Sequence, residues 1–321
     1  MTRALGQQTS VIIRQEHEWG TISADTSNDI ELSYRSCNLG STKNTFQSET
    51  INSTRAVVSL ADGNVAVQGS ITMDLVPEGI EVLLRHLLGK GTITTTGSGP
   101  YTHVLKGASE TLTGLTIEKA FTNIGQYFVY KGCRVNSMNI NLIQEGYHDV
   151  TFDFLGKNET INNASFSTSA YSPTKSGYTG YQCTVSIDGN LEQYVVSGSI
   201  NIQNNVETDG YVLGSQERAS AEYGKRECSG DITMFFEDVT LYEKYLAGTE
   251  VPIVFNFTNG YDSLKITFPK CKLSGESPNI DSTGGINLKL GFNARYFEDD
   301  ATDVTFEITN DLASIPDEPS I

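Results

Sequence analysis

Gly69-Ser70-Ile71-Thr72-Met73 is followed by an acidic turn and an apolar octet that closes on Leu88-Gly89. The same order returns as Gly230-Asp231-Ile232-Thr233-Met234, an acidic turn at Glu237-Asp238, and an octet closing on Ala247-Gly248. The leading glycines are 161 positions apart and the closing glycines 159, so spacing inside the unit is nearly constant. Lys131-Gly132-Cys133-Arg134-Val135 then matches Pro269-Lys270-Cys271-Lys272-Leu273 in pattern. Each cysteine precedes an alternating strand, Val150, Phe152 and Phe154 in one half and Ile286, Leu288 and Leu290 in the other. A repeat this long is a duplicated domain, since solenoid units recur every ~20–50 residues.

Composition bounds the rest. A chain of 321 residues fits two domains of about 150, each able to bury a core. Hydrophobic content of 38% and a formal charge of −17 describe an acidic globular protein. No apolar run approaches the roughly 18 residues needed to cross a bilayer. The N-terminus lacks the basic-then-apolar pattern of a secretory signal, so a cytosolic start is expected. Five cysteines, an odd number with no CxxC pair, predict reduced buried thiols rather than disulfides or a zinc site. With 39 acids against 22 bases there is no cationic footprint for gripping phosphate.

Short runs alternating in period two, separated by Gly, Asn, Asp and Ser, predict an all-β fold with minor helix. One helix is expected over residues 77–88, where Ile80, Leu83, Leu84, Leu87 and Leu88 share a stripe. His86 falls off that stripe and is expected to face solvent. The counterpart, residues 239–247, sets Tyr242, Tyr245 and Leu246 on a more polar stripe, predicting looser cover of its sheet.

Residues 36–65 and 204–227 are polar, glycine-punctuated and equivalently placed, which predicts a long projecting loop or hairpin in each half. Structureless loops this long are uncommon in compact domains and tend to be functional. They read as contact arms, with Lys43, Phe46, Glu49, Ile51 and Arg55 on the first and Tyr211, Leu213, Arg218, Tyr223 and Lys225 on the second. The domains divide as 1–157, a linker at 158–183, 184–297, and an acidic tail at 298–321. Val304, Phe306 and Ile308 alternate within that tail as one further edge strand, and residues 90–113 are an insertion in the first half only.

Catalytic signatures are absent: no GxSxG, GxxxxGK[ST], HExxH or GxGxxG occurs. His148-Asp149 reads as a polar turn, and Asp299-Asp300 lacks EF-hand spacing. The aromatics Phe121, Tyr127, Phe128 and Tyr130 lack the positive groove of a base-stacking platform and read as packing. No enzyme, cofactor or metal is expected.

Ala4-Leu5-Gly6 with Glu18-Trp19-Gly20-Thr21, the block from Gly69 to Gly89, and the segment from Glu118-Lys119-Ala120-Phe121 to Gln126-Tyr127-Phe128 and on to Asn136 resemble the tail tube proteins of long-tailed bacteriophages, in their double-domain branch. The resemblance implies two tandem β-barrel or sandwich domains, each with one short flanking helix. It implies edge-to-edge rings, three chains giving six domains or six chains as the alternative, stacked helically. The arms would reach the adjacent ring. Partners would be further copies plus tape-measure, tail-initiator and tail-terminator proteins. DNA would pass through the lumen without specific binding, in a virion tail assembled in the host cytoplasm. Competing readings are a decoration or minor capsid protein and a carbohydrate-binding or adhesin module, the latter weakened by the missing signal and odd cysteine count.

Overall fold

The computed structural model describes residues 3–91, 93–280 and 284–315. Asp317 and Glu318 of the acidic tail lie outside the described residues. The strands of the first half are β1 (Thr9–Gln15), β2 (Ile30–Glu31), β3 (Tyr34–Cys37), β4 (Gly40–Gln47), β5 (Leu60–Asp74), β6 (Thr94–Thr96), β7 (Tyr101–Lys106), β8 (Leu115–Phe121), β9 (Gln126–Leu142), β10 (Asp149–Gly156) and β11 (Asn158–Asn162). Those of the second are β12 (Cys183–Ile187), β13 (Asn190–Glu192), β14 (Val195–Gln203), β15 (Glu227–Phe235), β16 (Glu250–Asn259), β17 (Asp262–Gly275), β18 (Asn287–Ala294) and β19 (Thr305–Asn310). Two helices, α1 (Glu81–Leu88) and α2 (Thr240–Ala247), complete an all-β fold whose strands form a single antiparallel sheet.

The two halves have the same strand order. In the first, hydrogen bonding runs from β3 and β4 to β5, β10, β9, β8 and β1. In the second it runs from β14 to β15, β18, β17, β16 and β12. Even the irregularities correspond. A bulge between Tyr34 and Ser36 matches one between Val195 and Ser197, and one between Leu115 and Ile117 matches one between Val251 and Ile253. Bulges bend a strand at a fixed place, so shared bulges mean shared curvature. β19, the strand expected from Val304, Phe306 and Ile308, lies on β17 as β11 lies on β9, but it is not the edge strand expected, because β7 pairs with its other side.

The register explains the glycine that opens each repeat. Gly69 sits opposite Phe154, and Gly230 opposite Phe292. A Cβ on Gly69 would lie 2.6 Å from Leu39 Cα, and one on Gly230 would lie 2.6 Å from the Phe292 ring and collide with the Ser199 carbonyl. Both positions let a neighbouring strand and an aromatic close over the backbone, a use for which glycine has no substitute.

Both halves share one continuous core, with Ile71, Phe152 and Phe154 in the first and Phe255, Phe268 and Phe292 in the second. α1 begins four residues later than predicted. The Gly79 N–H donates to the Glu81 carboxylate instead of entering the helix. All eight residues of α1 are buried, so His86, expected at the surface, is only 1% exposed. Sequence periodicity misplaced it because a second layer covers the helix: the Tyr223 hydroxyl donates to the His86 carbonyl, and Arg226 Nη1 and the Ala108 N–H both donate to the Leu88 carbonyl. α2 covers its sheet loosely, as expected, but its stripe is shifted: Leu241 is buried, Tyr242 and Tyr245 pack partly against the core, and Leu246, expected on the stripe, is exposed. His148, read as part of a polar turn, is likewise buried, edge-on to Phe257.

The insertion forms a hairpin of β6 and β7, and β7 pairs with β19, so it links the halves. Residues 158–183, read as a linker, contain β11 and are pinned to the first half, where Ser165 and the Phe166 N–H donate to the Glu118 carboxylate.

We expect Gly230→Val to destabilise the folded chain by about 3 kcal/mol or more through overpacking against Phe292 and Ser199. The exposed glycine Gly214, which has open space around it but φ of +89°, should cost about 1 kcal/mol as Ala. Urea midpoints of the two variants against the parent check this ordering.

Candidate assembly interface

The two candidate arms differ. The first is a hairpin in which β4 pairs with β5 and its tip, residues 48–59, stands clear of the core. Phe46, Ile51, Val57, Val58 and Leu60 are all more than half exposed there, and Glu49 and Arg55 are also exposed. Lys43 Nζ pairs with Asp62 across the hairpin at 2.5 Å. A cluster of unburied apolar side chains on a two-stranded hairpin gains nothing from burial in an isolated chain, which makes it the candidate contact surface.

The second segment does not project. It lies as a strap across the first half, which corrects the reading of Tyr211, Arg218 and Tyr223 as free contact residues. Arg218 is 3% exposed; its Nη1 donates to the carbonyls of Val67 and Gly156 at 3.0 and 2.7 Å, and its Nε to that of Thr208. The Tyr211 ring lies 5.4 Å from that guanidinium, and its hydroxyl donates to the Val65 carbonyl. The Val65 N–H in turn donates to the Gln216 carbonyl. Tyr223 packs 5.2 Å from Arg134, whose Nη1 donates to the Ala221 carbonyl. Within the strap only Leu213, fully exposed, and Lys225 remain at the surface among the candidate residues.

The residues that sequence reasoning missed are the strand edges. β14 pairs on one side with β15 and on the other with β9 of the first half, Gly198 opposite Leu142 through Gln203 opposite Ser137. The joint buries Ile200, Ile202, Met138 and Ile140 completely or nearly so. At the far ends, among the described residues, no strand pairs with the outer side of 37–42 or of 273–275, and 276–280 lie beyond the end of β17; Leu39, within the first of these edges, is nonetheless fully buried. Period-two patterning marks strands but carries no information about which strand lies beside which, so only the order of the repeats could have hinted at this joint.

A groove of 970 Å³ lies between the halves, lined by Leu88, Lys106, Tyr223, Arg226 and Asp303 among others. Its charges are engaged: Arg226 holds Asp303 in a two-pronged pair at 2.9 and 2.7 Å, and Lys106 Nζ donates to the Asp300 carbonyl. Among the described residues no group of three or more His, Cys, Asp or Glu could hold a metal ion, and the cysteines are free thiols. Among the described residues no helix is long and apolar enough to cross a membrane.

Two halves of the same strand order, strand edges without a partner and an exposed apolar hairpin are what the surface offers. A family model described as phage tail tube protein matches residues 6–294, and the chain belongs to that family of virion structural proteins. No curated protein matches the chain.

Two outcomes check this description. Arg218→Ala should cost about 2–4 kcal/mol, because it leaves three backbone carbonyls without their donor, and should free the strap to proteolysis. His86 finds no hydrogen-bond partner for either ring nitrogen. Burial, with Arg85 and Arg134 nearby, pushes its imidazole down to about 3. The unfolded chain therefore binds the proton first, and stability falls as pH drops below the free imidazole's value of about 6.5. His86→Leu should gain on the parent by about 1.4 kcal/mol per pH unit between roughly pH 6 and 4, read from denaturation curves at each pH. Parallel acid limbs would show that His86 is not held neutral.

Proposed function

We propose that this chain polymerises into stacked rings that form the phage tail tube, the conduit through which DNA is ejected. The observation that carries this reading is the joint between β9 and β14: two units of the same strand order meet edge to edge, and one edge stays open at each end. Residues 1–157 and 184–297 act as the two ring units, 158–183 as their connection, and 298–321 as an acidic tail. Three chains then fill six ring positions; six chains per ring is the alternative. The exposed hairpin carrying Lys43, Phe46, Glu49, Ile51 and Arg55 reaches the adjacent ring, with Leu213 and Lys225 as smaller contacts.

Tape-measure, tail-initiator and tail-terminator proteins set the length and the ends, and assembly takes place in the host cytoplasm. The formal charge of −17 supports a net-negative lumen, which keeps phosphates off the wall over about one Debye length, ~10 Å at 0.1 M salt. This is a structural task with no catalytic step.

Purified protein viewed by negative-stain electron microscopy should form hollow tubes of uniform width; a chain that stays monomeric at high concentration and with tail-initiator present contradicts the proposal. Replacing residues 48–58 by Gly-Gly should leave stability within about 0.5 kcal/mol of the parent, since the tip packs on nothing, and should abolish tubes or limit them to single rings. Full-length tubes from that variant would remove the hairpin from the stacking contact.

A further inference from the structure

The chain contains a worked example of its own ring joint. Because Gly69 and Gly230 stand at equivalent points of β5 and β15, the registers map one half onto the other residue by residue. Ile71 is opposite Cys37, and Ile232 is opposite Gly198, so Cys37 is the counterpart of Gly198. By the same mapping Gly40 corresponds to Asn201 and Thr42 to Gln203. On the other side, Asp153 is opposite Ser137 and its counterpart Gly291 is opposite Ser274. Ser274 therefore stands where Ser137 stands, and Asn279 where Leu142 stands. β9 carries a bulged residue, Asn136, that β17 lacks, and this fixes the offset.

We infer that neighbouring copies in the ring join in the register of the internal joint: the outer edge 37–42 of one copy pairs antiparallel with residues 274–279 of the next, Thr42 opposite Ser274, Gly40 opposite Glu276 and Cys37 opposite Asn279. This rests on the ring reading above and adds to it a partner surface and an alignment. The Asn38 N–H donates inward to the Ser70 carbonyl. The next residue, Leu39, lies between β3 and β4 and is fully buried, so it must be uncovered before it pairs with another copy. The Leu39 carbonyl is held by Nζ of Lys119, a β8 residue, at 2.5 Å, a bond that must be given up or shared when the edge pairs.

In the internal joint the Asn204 N–H donates to the Asn136 carbonyl, which makes the next pair, Gln203 and Ser137, a non-bonded one. Bonded pairs alternate from there. Carried over, Thr42 with Ser274, Gly40 with Glu276, and Asn38 with Pro278 are non-bonded pairs. Pro278, which has no N–H, thus falls where the joint needs none, consistent with the restriction of proline to such strand positions.

The two joints differ in strength. The internal one buries four apolar side chains, whereas the facing residues of the outer strand, Gly275, Glu276 and Ser277, bring no apolar surface. Main-chain hydrogen bonds carry the joint between copies. Residues 276–279 are not in a strand in the single chain, so they take up strand structure as the ring closes.

The test is a disulfide across one non-bonded pair, where Cα atoms approach to about 4.5 Å, within disulfide range. Full-length Thr42→Cys/Ser274→Cys is polymerised under reducing conditions, oxidised, and run on a non-reducing denaturing gel. Covalent dimers and closed oligomers should account for most of the protein, at least tenfold more than in either single variant or in Thr42→Cys/Asn279→Cys. Tubes that form without these cross-links, or that cross-link best in the control pair, overturn the register while leaving the tube function standing. Failure of the parent chain to form tubes sinks the functional reading instead. Should the double variant not assemble, amide exchange on the parent decides. Ser41, Gly275 and Ser277 should slow by at least tenfold on polymerisation while Asn38 and Gly40 change little, and equal slowing at Gly40 and Ser41 contradicts the inference.

Discussion

An antiparallel strand exposes hydrogen-bonding groups along both sides, and a sheet that ends in water carries a row of them unpaired. Everything distinctive about this chain follows from where its strand edges go. β14 places one edge against β15 and the other against β9, and that single contact turns two similar halves into one sheet. β7 does the same from the other side by taking β19, so the insertion and the C-terminal strand close a second seam. Among the described residues, the outer sides of β4 and of the end of β17, which correspond to the two sides of the β9–β14 joint, have no strand partner.

Polar side chains fix the angle between the halves. Arg226 ties Asp303 to the end of α1 through the Leu88 carbonyl. Asn310 Nδ2 donates to both the Pro77 carbonyl and Glu81 at the start of that helix, and Lys175 bridges Asp262 and Asp311. The strap adds two bonds from Arg218 to first-half carbonyls, those of Val67 and Gly156. A rigid pair of this kind suits repeated addition of copies, because each joint then sets the geometry of the next.

The fold was largely legible in the repeat. Gly-x-Ile-Thr-Met, the octet and the cysteine strand marked β5 and β15, both helices, and the paired β9 and β17, since these elements are specified by local pattern and by a glycine that faces an aromatic. Contacts between distant segments were not legible. His86 was misplaced because periodicity assumes one buried face, whereas α1 is covered by Tyr223 and Arg226 as well as by the sheet. Arg218 looked like a surface cation because nothing local says that Val67 and Gly156 offer it carbonyls 151 and 62 residues away. The first hairpin was legible because exposed Phe46 and Ile51 sit in a polar, glycine-punctuated segment that cannot bury them.

In the proposed assembly one chain fills two neighbouring, similar positions in a ring. The most direct measurement is a reconstruction of the polymerised tube by electron cryomicroscopy without imposed symmetry. Three chains per ring are expected, with threefold symmetry and only approximate sixfold appearance, the internal joint alternating with the joint between copies. A ring of six chains with each second half turned away from the wall would contradict it.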